Sequence, residues 1–290
     1  MKYLFIIFLC VLVSIALTSQ IPDNKLHIYI CDVGQGDGIL IVKGQSQIVI
    51  DAGPNNAIES CLGSHMPFWD RTIEVAIMTH ADSDHSFGFI QMFGRYKIEH
   101  FLASPVDSNS HSSNFEELKK IVQVKNIRTL SAVAGKDIKV NGIELSVVFP
   151  NQTFFDRNSH PKESNTVLGS VDGVTNDFCA IVLLQYQKFT ALFTCDTSQK
   201  SEEVMLSQNL VPHAYFLKVP HHGSKHGLTE SFLKAVNPRL AAISVGVKNR
   251  YGHPNQEVLD MLRNFNIKTY RTDQDGEIEV KTDGEQVWAK

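Results

Sequence analysis

The chain has 290 residues, 43% hydrophobic and 20% charged, which fits one large domain or two small ones and excludes a disordered or low-complexity chain. A formal net charge of -4 excludes a protein that attracts nucleic acid by its overall charge. A polyanionic substrate would need a local basic patch or bound cations.

Residues 1–20 differ from all that follow. Lys2 precedes an apolar run, Tyr3 to Leu17, and then Thr18-Ser19-Gln20. This order resembles a secretory signal and is short for a transmembrane helix, which needs about 20 apolar residues. Retention as an N-terminal anchor is the alternative. Either reading exports residues 21–290 as one working domain, secreted, periplasmic or held at the outer face of a membrane. Of the five cysteines, Cys10 lies in the leader, and Cys31, Cys179 and Cys195 fall in strand-like apolar runs. Buried free thiols are expected there, and no cysteine spacing marks a disulfide framework or a zinc knuckle.

Leu26 to Asp32 predicts the first strand, followed by the glycine-punctuated turn Val33-Gly34-Gln35-Gly36-Asp37-Gly38. Strands at 39–42 and 47–50 form a hairpin that stops at Asp51-Ala52-Gly53-Pro54. Because a hairpin and not a helix follows these glycines, they do not make a nucleotide fingerprint; close backbone approach and positive φ around a site are expected. A helix at 55–62 leads to the apolar strand 73–78.

Directly after that strand comes Thr79-His80-Ala81-Asp82-Ser83-Asp84-His85, with two imidazoles and two carboxylates within six residues. So many donors released at one strand end need solvent or a cation to satisfy them, and a metal is the favoured reading. A helix from Ser86 to Gly94, strand 98–103, helix 114–124 and strand 143–149 continue the α/β alternation. Residues 151–176 are polar and turn-rich and predict a long loop near the site.

The second half repeats the theme. A hairpin, 178–185 and 189–195, ends at Asp196, and a helix at 201–207 follows. Strand 215–219 then delivers Pro220-His221-His222-Gly223-Ser224. Helix 229–235, strand 240–245 and the segment Lys248-Asn249-Arg250-Tyr251-Gly252-His253-Pro254 come next. Helix 255–265 and strands 269–272, 278–281 and 287–289 complete the chain. Two hairpin-rich halves, each ending strands on potential ligands, predict two sheets packed face to face.

The candidate metal ligands are His80, Asp82, Asp84, His85, Asp196 and either His221 or His222. Asp196 is placed to bridge two cations, one on each oxygen. A His and Asp donor set suits zinc, manganese or iron, and the share of carboxylates tips the balance mildly toward manganese. Of the histidine pair, one is expected to bind metal and the other substrate, with His253 as a proton-transfer or substrate residue. Lys218, Lys225, Lys248 and Arg250 form a local basic neighbourhood suited to phosphate, or else a solvated charged face. Asp37 and Asp51 either orient ligands from behind or cap turns.

These motifs together resemble the metallo-β-lactamase superfamily, and more narrowly the hydrolase domain of ComEC-type competence DNA-uptake proteins. The residues that carry the resemblance are Asp32-Val33-Gly34-Gln35-Gly36-Asp37, Ile50-Asp51-Ala52-Gly53, the His80 to His85 loop, Pro220-His221-His222-Gly223-Ser224 and Asn249-Arg250-Tyr251-Gly252-His253-Pro254. They recur in order over nearly all of residues 26–290. The resemblance implies a four-layer αββα sandwich with one or two divalent metals at its edge. It also implies hydrolysis of phosphodiesters in DNA by a metal-bound hydroxide, with Asp84 and His85 anchoring one metal, Asp196 bridging and His221 completing the site. Asp82 stands where the superfamily has its second histidine. The superfamily's middle histidine is replaced in the region of Asn176 and Asp177, one of which is expected to serve for it. Cys195 stands where relatives often carry glycine. Hydrolysis of an ester, thioester or lactam, or metal or nucleic-acid binding with weak catalysis, are the competing readings.

Overall fold

Alternation and apolar runs resolve into strands as the periodicity predicts. The computed structural model describes residues 22–106, 113–162 and 167–290. The expected leader lies outside the described residues, as do 163–166 of the expected long loop. Among the described residues no helix is long and apolar enough to cross a membrane.

The strands of the first half are β1 (Leu26–Ile30), β2 (Gly38–Lys43), β3 (Ser46–Ala52), β4 (Thr72–Met78), β5 (Lys97–Ala103), β6 (Thr129–Ser131), β7 (Asp137–Val140) and β8 (Ile143–Phe149). A two-stranded ribbon follows, β9 (His160–Pro161) and β10 (Val171–Asp172). The second half holds β11 (Ile181–Tyr186), β12 (Phe189–Phe193), β13 (Phe216–Lys218), β14 (Leu240–Ile243), β15 (Lys268–Arg271), β16 (Ile278–Thr282) and β17 (Val287–Ala289).

They build an eight-stranded sheet of order β17-β16-β1-β2-β3-β4-β5-β6 and a seven-stranded sheet of order β15-β14-β13-β12-β11-β8-β7. Each sheet passes from antiparallel hairpins to parallel strands, at β3–β4 in the first and at β12–β13 in the second. The parallel strands require crossover helices, and these cover the outer faces. One apolar core lies between the sheets, where Ile28, Ile41, Ile50 and Ile77 meet Val147, Val182, Leu184 and Phe216. A second sits under the helices Ala57–His65, Gly88–Arg95 and Ser113–Val124, and a third under Gln199–Ser207, Glu230–Val236 and Gln256–Asn264. The result is the expected αββα sandwich.

Several expectations need correction. The stretch 151–176 is not one long loop: Asn151 caps a helix over Gln152–Asn158 by accepting from Phe154 N, and the β9–β10 ribbon follows. The short strands β6 and β7 were not expected, since three or four residues carry little periodicity. Residue 272 opens a helical turn, Thr272–Asp275, and does not continue β15. The four described cysteines are not free thiols. Cys31 is bonded to Cys61, and Cys179 to Cys195. The partners lie 30 and 16 residues apart, separations that carry no motif.

Candidate metal centre

The site lies where parallel strands of both sheets end. β4 stops at Met78 and releases Thr79, His80 and the short helix Ser83–Ser86, which carries Asp84 and His85. From the second sheet, β12 leads into Asp196, β13 into the turn Pro220–Gly223, and β14 into the loop that holds Tyr251 and His253. Parallel neighbours point the same way, so their carboxyl ends deliver these loops to one edge. The loop of residues 33–38 runs beneath the ligand loop. Asp37 N donates to the Asp84 carbonyl at 3.1 Å, and a Cβ on Gly36 would overlap that carbonyl.

Four donors converge: Asp84, His85, Asp196 and His222. Asp196 Oδ1 lies 3.3 Å from His85 Nε2 and 3.4 Å from His222 Nε2, and His222 Nε2 lies 3.5 Å from Asp84 Oδ2. The other nitrogen of each ring is held from behind. His85 Nδ1 donates to Asp51 Oδ2 at 2.8 Å, and His222 Nδ1 donates to the Ser244 carbonyl at 2.9 Å. His80 Nδ1 donates to Thr79 Oγ1 at 3.0 Å, because that hydroxyl already gives its own proton to Asp51 Oδ2. With Nδ1 engaged from behind, each imidazole turns its Nε2 inward.

His80 Nε2, His85 Nε2, His222 Nε2 and Asp196 Oδ1 are all buried without a hydrogen bond. Leaving such groups unpaired costs about 1–3 kcal/mol each. A cation with nitrogen and oxygen ligands at about 2.1 Å separates tetrahedral donors by about 3.4 Å, which matches these spacings. The donor set thus fits a divalent metal. It also corrects one expectation: His222, and not His221, completes this group.

A second, more open group adjoins it. His80 Nε2 faces Asp82 Oδ2 at 3.8 Å, and His221 Nε2 faces the other oxygen of Asp196 at 3.6 Å. Asn176 lines the same cavity, whereas Asp177 turns away to Lys200 and Ser198. Asp177 therefore does not stand in for the missing histidine.

Charge within the cluster is mutual. Burial raises the Asp196 carboxyl, but His222 and His85 outweigh it and hold the group well below the usual range. Burial lowers His222, but Asp196 and Asp37 push it up to about 10. His85 is raised in the same way against its own burial, by Asp196 and Asp51. His80 is lowered, first by burial and then by His85. His253 is lowered by burial and by His221 and His222, so its ring is neutral near pH 7. Its Nδ1 is buried without a partner.

Lys218 is not a substrate contact. It is fully buried and donates to Asp37 Oδ2 at 2.6 Å, and the other oxygen of Asp37 lies 3.4 Å from His222 Nδ1. Asp51 lies behind His85, and Asp37 behind His222. Lys225, Lys248 and Arg250 are exposed, and among the described residues none of them has an ion-pair partner. None lines the central cavity of about 380 Å³, which is bordered by Gln35, Asp82, Asp84, Asn176, Tyr251 and His253 among others. Sequence reasoning missed Thr79 and Ser244, whose oxygens fix His80 and His222. No spacing signal marks a backbone carbonyl or a lone hydroxyl.

Four non-glycine residues here sit at positive φ: Asp51 at 56°, Cys195 at 41°, His221 at 49° and His222 at 53°. Such backbone costs about 1–3 kcal/mol per residue and gathers where side chains must be aimed.

No family model matches the chain. The ComE operon protein 3 of Bacillus subtilis is 26% identical over 277 residues, covering 86% of this chain and 32% of that protein. Recombination protein 2 of Haemophilus influenzae is 27% identical over 285 residues, covering 95% of this chain and 31% of that protein. The chain thus spans about a third of the length of the curated relatives it matches. Among solved structures, the metallo-β-lactamase fold protein YhfI from Bacillus subtilis superposes with a TM-score of 0.54 at 11% identity, covering 92% of this chain and all of that one. The chain has the metallo-β-lactamase fold and resembles, over most of its length, a segment of the ComEC-type competence proteins.

Proposed function

We propose that the chain is an exported, metal-dependent phosphodiesterase that acts on DNA. The observation that carries this reading is the convergence of His85 Nε2, His222 Nε2 and Asp196 Oδ1, buried and without hydrogen bonds, around one point. Asp84, His85, Asp196 and His222 would hold one divalent ion, zinc or manganese; His80, Asp82, His221 and the far oxygen of Asp196 offer a second, more open place, with Asn176 on the cavity wall. Such an ion, when bound, acidifies a water molecule and neutralises charge that develops on a phosphate.

The chain's own groups do the rest. Asp51 and Thr79 fix His85 and His80, and Ser244 fixes His222, so no reorientation is needed when charge develops. His253, neutral at the cavity wall, can accept a proton from an attacking water molecule. Lys225, Lys248 and Arg250, free of ion-pair partners among the described residues, can hold flanking phosphates outside the cavity. Support for DNA comes from the likeness to a recombination protein and a competence protein, and support for phosphodiester chemistry from Asp82, a carboxylate in a histidine's place. Support for export comes from the two disulfides, which persist in oxidising compartments.

The test is metal analysis of the purified full chain, followed by incubation with single- and double-stranded DNA and manganese or zinc. DNA cleavage that Asp84→Ala abolishes is expected. Intact DNA alongside cleavage of a simple phosphodiester or a lactam would overturn the choice of substrate. Full activity in Asp84→Ala would overturn the site.

A further inference from the structure

The loop after β14 brings an exposed aromatic ring to the mouth of the site. Tyr251 is 61% exposed although it lines the central cavity. One face of its ring stacks on His253, with centroids 5.8 Å apart and planes within 24°. His253 in turn meets His221 edge to face at 5.8 Å. The loop is held in shape by Asn249, whose Nδ2 donates to the carbonyls of Gly246 and His253 and whose Oδ1 accepts from His253 N. A largely exposed aromatic ring supported on one side costs little to order on binding.

The same loop carries the exposed Lys248 and Arg250, both without ion-pair partners among the described residues, and the 73% exposed Val247. An open aromatic face flanked by free cations is the arrangement that binds unpaired nucleotides, by stacking a base and tracking the phosphates. The cavity volume of about 380 Å³ falls in the range of a small-molecule pocket, room enough for one splayed nucleotide.

We infer that Tyr251 is a stacking platform for one unpaired base next to the scissile phosphate, so that the preferred substrate is single-stranded nucleic acid. This rests on the phosphodiesterase reading for its choice of ligand, but it makes its own prediction about binding. The base stacks on the open face of Tyr251, opposite His253, while the adjoining phosphate points toward Asp84 and Asp196. No covalent step is involved.

The experiment uses the full chain loaded with manganese and single-stranded oligonucleotides with phosphorothioate linkages, which resist cleavage. One carries 2-aminopurine as its terminal base, and a second is abasic at that position. Fluorescence quenching of 2-aminopurine on binding is expected, as stacking requires. Tyr251→Ala should abolish the quenching and raise Kd for the base-containing strand by about 5- to 100-fold, with Kd for the abasic strand unchanged. Tyr251→Phe should behave as the parent. Equal affinity of Tyr251→Ala and the parent for the base-containing strand would overturn the inference, as would tight binding of a blunt duplex with no loss in that variant. A loss of Kd that is equal for both strands would also overturn it, because a structural role would give that result. Absence of DNA cleavage would sink the phosphodiesterase reading and leave this binding result standing on its own.

Discussion

Lys218 donates to Asp37 across the interior, 2.6 Å from nitrogen to oxygen, and neither side chain reaches solvent. The pair joins β13 of the second sheet to the glycine loop of the first, and the free oxygen of Asp37 faces His222. Lysine beside Asp37 and His222 holds this carboxyl below the usual range despite burial. Removing one partner leaves a buried charge alone, so Lys218→Ala should lose about 3–5 kcal/mol in urea denaturation. The double variant Asp37→Asn with Lys218→Met should recover much of it. If the single variant costs nothing, the pair does not hold the two sheets.

His221 and His222 differ in what they face, and metal content can tell them apart. His222→Ala should strip the ion held with Asp84, His85 and Asp196, lowering metal per chain as read by mass spectrometry. His221→Ala should keep that ion, since its ring lies on the far oxygen of Asp196. Equal loss in both variants would place the ion between the two oxygens instead.

Glu202 gives a pH dependence away from the site. Burial pushes its carboxyl up to about 8, against hydrogen bonds from Thr229, and its Oε1 has no partner. The folded state therefore holds this proton more tightly than the unfolded chain does. The stabilisation is complete below about 4.5, the ordinary value, and is lost as pH rises through about 8. Glu202→Gln should flatten the fall in stability between pH 5 and 8, with a gain of about 2 kcal/mol at the upper end. Thermal melting across that range is the measurement, and an unchanged slope would contradict it.

The Cys31–Cys61 bond closes a loop of 30 residues and ties β1 to the helix Ala57–His65. Replacing both cysteines by alanine should cost about 3–4 kcal/mol by the chain-entropy argument. A reductant should lower the melting temperature of the parent by more than that of the variant, which keeps only the Cys179–Cys195 bond to lose.

Much of the fold was legible because its strands are long enough to show a period. β4, β8 and β12 announce themselves by apolar runs or by alternation, and the ligand loop by its position straight after β4. The pairing of sheets could be read from the repeated theme. What could not be read is any relation between residues that are distant in sequence. Lys218 looked like a surface cation because charge is usually exposed, and only its partner 181 residues away makes burial tolerable. The choice between His221 and His222 turned on φ values of 49° and 53°, which aim neighbouring rings in directions that spacing cannot predict.

Asp84 and His85 come from the first sheet, and Asp196 and His222 from the second. An ion that binds all four would therefore act as a rivet between halves of the chain. Its affinity would report how well the two sheets are docked, and any mutation that loosens their shared core would weaken metal binding without touching a ligand. Titration with a chelator would in that sense be a measurement of tertiary packing.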